Sequence, residues 1–517
     1  MIVRRVLSTF LRKVVPMFGL VCVQLIAANA ADASVVGPSI PYQFIAKSYT
    51  EGLGRAPDQS GWAAEAAYFS TGAGCNTTTL AFQASRVLTS SEFTGLSHSN
   101  PALVEIAYRT LLNREPDASG YATWLSYLNG GMPWSTVLND IEASPEFDSL
   151  ATNVICNGGG EYGFGSNAPI ALSPSGPGFI GTEAALQALL NSTPSGGTVA
   201  LASRSLVSLT STLTIPAGVI LTTTGSPSTQ QYADMGRLSR APGWTGESVH
   251  ISGGATVTHV WIDGDRTVES SYNRDRFNIR LYGGSGTTVS YDRIGNTAGA
   301  TNIELEGGCT SAFVTNNLFD AYSSSHANGL WSDGISDGCE NSTISGNAIV
   351  DASDVGIILF AGSPAQTSHV TNNTVIQAGH GAYALLAADP STGQPNGNRN
   401  SFSGAQITNN TIWTAPTAVS TFGISDGTYA WFGTLAAIGS GALISGNTAG
   451  SLNVYSETGI DVSGMLQTTV TGNTLNWSIA KDPQTSCPQH NVGASVAAGF
   501  ASGTIQTYSD ALYSSCI

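Results

Sequence analysis

From Thr182 onward, short aliphatic runs alternate with single polar residues and turn formers, and one pattern recurs: an aliphatic residue, Ser or Thr, any residue, then Asn. It falls at Asn317, Asn347, Asn373, Asn410, Asn447 and Asn473, with Asp292 and Val260 in the equivalent place earlier. Successive spacings of 30, 26, 37, 37 and 26 residues describe an imperfect period, which is what a solenoid shows when its coils accept insertions on one face. Each coil would contribute short parallel strands about 4.8 Å from their neighbours. The aliphatic positions would point inward and stack, and the Asn would mark a tight turn where amides can ladder along the axis. The reading is a mainly β chain, a parallel β-helix over 179–481. The amphipathic run Thr182–Leu190 would cap one end, and residues 482–517 the other.

A different periodicity precedes it. Leu103, Ile106, Ala107 and Leu111 recur on one helical face. Asp117 stands where an N-cap belongs, and Gly130-Gly131 ends the run. The region 38–155 is an internal duplication: Tyr49, Leu53, Arg55, Pro57, Asp58 and Gly61 recur as Tyr108, Leu112, Arg114, Pro116, Asp117 and Gly120. The copies end near Ser91-Glu92-Phe93 and at Ser144-Pro145-Glu146-Phe147. A small α-helical domain is expected, with Arg55, Asp58, Arg114 and Asp117 forming capped, ion-paired loops. Residues 156–178, rich in Gly, Pro and Ser, read as a linker.

Charge and cysteines narrow the setting. Net charge is −16, yet Arg4, Arg5, Arg12 and Lys13 all lie in the first thirteen residues. Without them 15 basic residues face 35 acidic ones, a net of −20, which argues against nucleic acid and anionic lipid as partners. The basic start, the apolar run from Val14 to Ala28 and the triplet Ala28-Asn29-Ala30 have the order of a cleaved signal peptide over 1–30. A secreted or cell-surface protein with no transmembrane segment after cleavage is expected. Six cysteines remain after Cys22 leaves, and none forms C-x-x-C. Three structural disulfides are the simplest reading, Cys75–Cys156, Cys309–Cys339 and Cys487–Cys516. The second pair would end equivalent strands of successive coils. No metal site or cofactor is indicated.

Three resemblances add to this. The pattern Y-x-x-x-L-x-R-x-P-D-x-x-G with S-x-E-F resembles the bacterial domain of unknown function 4214, found in exported and surface proteins and distantly similar to phycobilisome linker domains. It implies location and attachment to cell-surface components rather than chemistry. The helix followed by Gly-Gly-Thr-Val-Ala-Leu resembles the start of pectate-lyase-like proteins, which implies a single-stranded right-handed parallel β-helix. The stretch Trp331 to Gly381 resembles the polygalacturonase-type glycoside hydrolases, whose motifs are N-T-D, D-D and G-H-G. Carried over, Asp333, Asp354 and His380 would be catalytic, while Val355 stands where the second paired aspartate belongs. Phe422-Gly423-Ile424-Ser425 stands where R-x-K belongs. Asp320, Asp337, Asp351 and Asp461 are weaker acidic candidates. The basic cluster Arg274, Arg276 and Arg280 could grip an acidic sugar by bidentate pairing. A polysaccharide lyase fits less well, because such enzymes use a Lys or Arg base and the mature chain has only Lys47 and Lys481.

Two readings of function stand side by side. In one, the chain engages extracellular polysaccharide and hydrolyses its glycosidic bonds. In the other, it is a non-catalytic surface or adhesion module attached through the helical domain. Under the second reading, Asp333 and Asp354 are turn formers and His380 is a polar corner residue.

Overall fold

The structure, a computed structural model, describes residues 40–70, 74–156, 174–264, 275–297, 299–320, 332–362, 364–379, 382–390, 399–416, 418, 420–427, 438–463, 465–476, 478–479, 494–496 and 503–505. From residue 198 the chain winds as a right-handed parallel β-helix. The first coil supplies Thr198–Leu201 to one sheet, Leu206–Leu209 to a second and Leu213–Ile215 to a third. Later coils repeat the circuit in parallel register. Alternation along each strand sends one aliphatic column inward per sheet. In the first sheet that column is Val257, Val289, Val314, Ile344 and Val370. In the second it is Ile262, Ile294, Phe319, Ile349 and Val375. Helix Glu183–Ser192, capped by the Thr182 hydroxyl, buries Leu186 and Leu190 on the open end of this core. It thereby shields strand ends that would otherwise recruit another chain.

From Asn316 onward, the corner between the first and second sheets is built the same way on each described coil. Asn316, Gly346, Asn372, Asn409, Gly446 and Gly472 all take the left-handed conformation, and the ladder Asn follows each. A bend this tight requires φ > 0, which Asn and Gly tolerate best. Each ladder side chain then bonds the next coil. The Oδ1 of Asn373 accepts from the Asn347 main-chain N–H and Nδ2, both at 3.0 Å. Its own Nδ2 donates to the Ile344 carbonyl at 2.9 Å and to Asn410 Oδ1 at 3.0 Å.

Asp292 occupies the foot of this ladder. Its N–H donates to Asn317 Oδ1 at 2.9 Å, and its Oδ1 accepts from the Val260 N–H at 2.7 Å. Its Oδ2 is buried with no partner. Burial pushes this carboxyl well above the usual carboxylate range, outweighing the bond from Val260. A raised folded-state pKa means stability that is complete below the unfolded value, near ~3.9, and falls as pH climbs. Asp292→Asn supplies a permanent donor in the same shape. It is expected to stabilise the protein by about 1–3 kcal/mol at pH 7, with the gain shrinking toward pH 4. Denaturant midpoints across pH measure this; equal midpoints at pH 7 would defeat it.

The duplicated motif of the helical domain is explained residue by residue. Arg55 donates to both oxygens of Glu92, at 2.6 and 2.7 Å, and Arg114 pairs with Glu146 in the second copy. Asp58 and Asp117 accept from the N–H groups of Gly61 and Gly120, at 2.8 and 2.9 Å. Those glycines are needed because a Cβ at either would overlap the hydroxyl of Tyr49 or Tyr108. Ser90 and Ser144 cap the short helices that bring Phe93 and Phe147 into the core. The motif is therefore a closure device joining the start of each copy to its end. Cys75–Cys156 closes the domain with its Cα atoms 5.3 Å apart, and Cys309–Cys339 staples two coils at 4.7 Å. Cys487 and Cys516 lie outside the described residues, as does the segment 1–30.

The helices are not a free appendage. They sit on the outer face of the second sheet, where Trp261, Val350, Ile376 and Trp413 join the core of the helical domain. Buried charges lock the seam. Arg293 meets Glu51 at 2.8 Å and also pairs with Asp320. Arg237 meets Glu115 at 2.9 Å and also pairs with Asp263, while Arg204 pairs with Glu105. The guanidinium groups of Arg237 and Arg109 lie 3.9 and 4.5 Å from the centre of the Trp261 ring. This cation–aromatic packing helps offset the cost of burying them.

Candidate functional site

The third sheet carries the sequence candidates. At its entry edge Gly334, Gly356 and Gly423 point inward, where a Cβ on Gly356 would strike Val375 of the core and the Leu385 carbonyl. The residue before each glycine therefore faces outward. Asp333, Val355 and Phe422 do so, with Ala384 filling the same column between the last two. Beyond the glycine kink, Ile335, Ile357, Leu386 and Ile424 return to the core.

Asp333 opens strand Asp333–Asp337 and is half-buried. Its Oδ1 accepts from the Val355 N–H at 2.9 Å, and its Oδ2 accepts from the Ser336 hydroxyl at 2.7 Å. Asp354 is also half-buried and precedes strand Val355–Phe360. Its N–H donates to the Ser332 carbonyl, and its carbonyl accepts from Tyr383, which ties three coils together. Burial pushes the Asp354 carboxyl well above the usual range, and the charges of Asp333 and then Asp389 push it further. Asp389 ends strand Ala384–Asp389, one coil on. Beside these acids lies an apolar cluster of Val355, Ile358, Ala384, Ala387 and Phe422, flanked by Phe360 and Tyr383. Tyr383 and Phe422 meet edge to face at 5.4 Å.

Asp333 and Asp354 stand on adjacent coils, and the charge of Asp333 adds to the burial that raises the Asp354 carboxyl. His380 and Arg274 lie outside the described residues. Gly379, the first glycine of G-H-G, packs on Gln43 of the helical domain, where a Cβ would overlap that side chain. Its N–H and that of Ala378 donate to Asp351 Oδ1, and Gln43 donates to Asp351 Oδ2. Asp351 and Asp320 thus belong to the seam with the helices. Asp337 turns away from the outer face: it accepts from the Cys339 N–H and the Ser342 hydroxyl, and burial raises it to about 7. Arg276 is buried, and Arg280 is engaged by Glu306 and Glu247. Asp461 is buried in register with Ser425, three coils beyond Asp354. Sequence reasoning missed Asp389, Tyr383 and Phe422. The coil register that sets Phe422 opposite Ala384 and Ala384 opposite Val355 could have pointed to Phe422 and the neighbouring Tyr383; Asp389 is tied to Asp354 only by its charge.

Residues 84–151 match the family described as Domain of unknown function (DUF4214). That span holds the second copy of the motif and the Ser-Glu-Phe end of the first. No curated protein sequence matches the chain. Among solved structures, the tailspike protein of E. coli bacteriophage HK620, in complex with a pentasaccharide, is 15% identical with a TM-score of 0.40. It covers 66% of this chain and 63% of its own. The Dettilon tailspike protein is 16% identical with a TM-score of 0.33, covering 56% of this chain and 63% of its own. An endo-xylogalacturonan hydrolase from Aspergillus tubingensis is 16% identical with a TM-score of 0.38, covering 66% of this chain and all of its own. The chain thus spans about three fifths of the tailspikes it matches, 58% in one of their variants. No helix among the described residues is long and apolar enough to cross a membrane.

Proposed function

We propose that the protein engages an extracellular polysaccharide on the outer face of the third sheet, and that Asp354 and Asp333 hydrolyse its glycosidic bonds. The observation that supports this most is the pairing of unlike carboxyls. Burial first, and then its acidic neighbours, favour the protonated form of Asp354, the form that can give a proton to the leaving oxygen. Asp333 accepts a hydrogen bond at each oxygen. That arrangement suits the ionised partner which activates water or attacks the sugar. Tyr383, partly exposed and braced edge to face by the buried Phe422, offers apolar surface to a sugar ring beside the acids. His380 is proposed as a third member of the site. We further propose that 1–30 is a signal peptide and that the helical domain, 38–155, is joined to the β-helix, 179–481, through residues 156–178.

Asp354→Asn tests the chemistry. It is expected to abolish release of reducing ends, by a factor of at least about 10², while binding to the same polysaccharide persists. Turnover equal to wild type in that variant would leave only the binding module. One observation favours this second reading: Val355, Ile358, Ala384 and Ala387 are buried although they face outward, so part of the face is already covered.

A further inference from the structure

We infer a second, uncharged sugar-binding strip on the outer face of the first sheet, centred on Tyr291 and Phe313 and separate from the carboxylates of the third sheet. Among the described residues, six of the eight corners between the first and second sheets from the third coil onward carry Asn or Gly in the left-handed conformation. The other two carry His259, at φ 57, and Tyr291, at φ 60. A bulky ring on a left-handed backbone is an unfavourable choice where Asn fits without strain. Tyr291 is nevertheless 46% exposed, so it is not there to fill a core.

Its ring is held in place. It stacks on His259 with centroids 5.2 Å apart and planes 4° from parallel. His259 is itself fixed by a 3.0 Å bond between Nδ1 and the Pro227 carbonyl. One coil further, Phe313 projects from the sheet, 42% exposed, in register with Thr288. Strand geometry puts the Cα atoms of Tyr291 and Phe313 about 11 Å apart. Between them lie the side chains of Thr288, Ser290 and Thr315, and the strands carrying them contain no charged residue.

Two fixed aromatic rings separated by hydroxyl groups match the two faces of a sugar chain. The electron-rich ring faces attract the weakly positive C–H face of a pyranose. The Thr and Ser hydroxyls can donate to or accept from its hydroxyl groups. An uncharged strip on a chain of net charge −16 suits a neutral polysaccharide rather than a polyuronate. The strip would hold substrate without cleaving it.

The test is affinity electrophoresis of the full chain through gels containing xyloglucan, galactomannan or laminarin, with polygalacturonate as the charged control. The wild type should be retarded by at least one neutral polymer. Tyr291→Asn and Phe313→Ser should each weaken that retardation about tenfold or more. Because Asn fits the corner, the thermal midpoint of Tyr291→Asn should stay level or rise. Three results would overturn the strip: no retardation in any neutral gel, retardation by polygalacturonate alone, or a midpoint in Tyr291→Asn that falls by several degrees, which would make the ring a structural prop. If Asp354→Asn loses retardation while Tyr291→Asn keeps it, binding belongs to the third sheet. That outcome overturns the strip and leaves the carboxylate face standing.

Discussion

Arg293→Ala is expected to lower the stability of the chain by about 3–5 kcal/mol, because it takes the paired cation from buried Asp320 and leaves buried Glu51 only the more distant Lys47. Glu51 comes from the helical domain and Asp320 from the second sheet, and both meet this one guanidinium. The guanidinium also lies 3.7 Å from the centre of the Tyr232 ring, so packing is lost with the charge. Burial works against the charge on Glu51, but Arg293 and Lys47 hold its carboxyl well below the usual range. A lowered folded-state pKa contributes stability above the unfolded value, near ~4.3, and that contribution is lost as acid protonates the group. The variant should therefore lose less stability than the wild type between pH 6 and pH 4. Denaturant midpoints at the two pH values measure both effects. A shift below about 0.5 kcal/mol at pH 6 would mean that the seam does not depend on this pair. The seam also changes how the helical domain is understood: it covers a flank of the β-helix, so attachment to a cell surface would have to use its other faces.

Asn373→Ala should cost about as much, roughly 3–5 kcal/mol, from the sum of buried polar groups left unpaired. The change takes the side-chain partner from the Asn347 N–H and the Ile344 carbonyl, and removes one of the two bonds made by Asn347 Nδ2 and by Asn410 Oδ1. Those atoms lie inside the coil stack, where water cannot replace the missing amide. The damage should be central, so hydrogen exchange should rise first in the strands beside Asn373. Unchanged protection of Ile344 and Ile407 in the variant would show that the ladder is not a structural spine.

Much of the fold was legible because its causes are local and repeated. The Asn signature returns on each coil from Asn317 onward because a left-handed corner is best made by Asn or Gly and the next residue supplies an amide. Both demands fall on neighbouring residues and return with every turn of the chain. Asp292 was legible as a ladder member by position. Its buried, unpartnered oxygen was not, because that depends on which atoms surround it. The pairing of Cys309 with Cys339 followed from equal places on successive coils, a purely periodic argument. The R-x-P-D-x-x-G and S-x-E-F pieces were visible as motifs. Their union through Arg55–Glu92 and Arg114–Glu146 needed the folded helices that bring them together.

The candidate site divides the same way. Sequence alone determined that Asp333 and Asp354 lie about one coil apart, since 21 residues separate them. That Asp333 faces outward was decided by the inward column of Gly334, Gly356 and Gly423, an irregularity that resets the strand alternation. Only the tertiary structure put the charge of Asp389 within reach of Asp354, from the far end of the neighbouring strand where it pairs with Phe360. The same holds for the seam. Glu51, Glu105 and Glu115 look like ordinary helix charges in the sequence, and Arg204, Arg237 and Arg293 like isolated cations. Their burial against one another is a property of two surfaces meeting. Repeated local chemistry was therefore written in the chain, whereas unlike parts brought together across long sequence distance were settled only by packing.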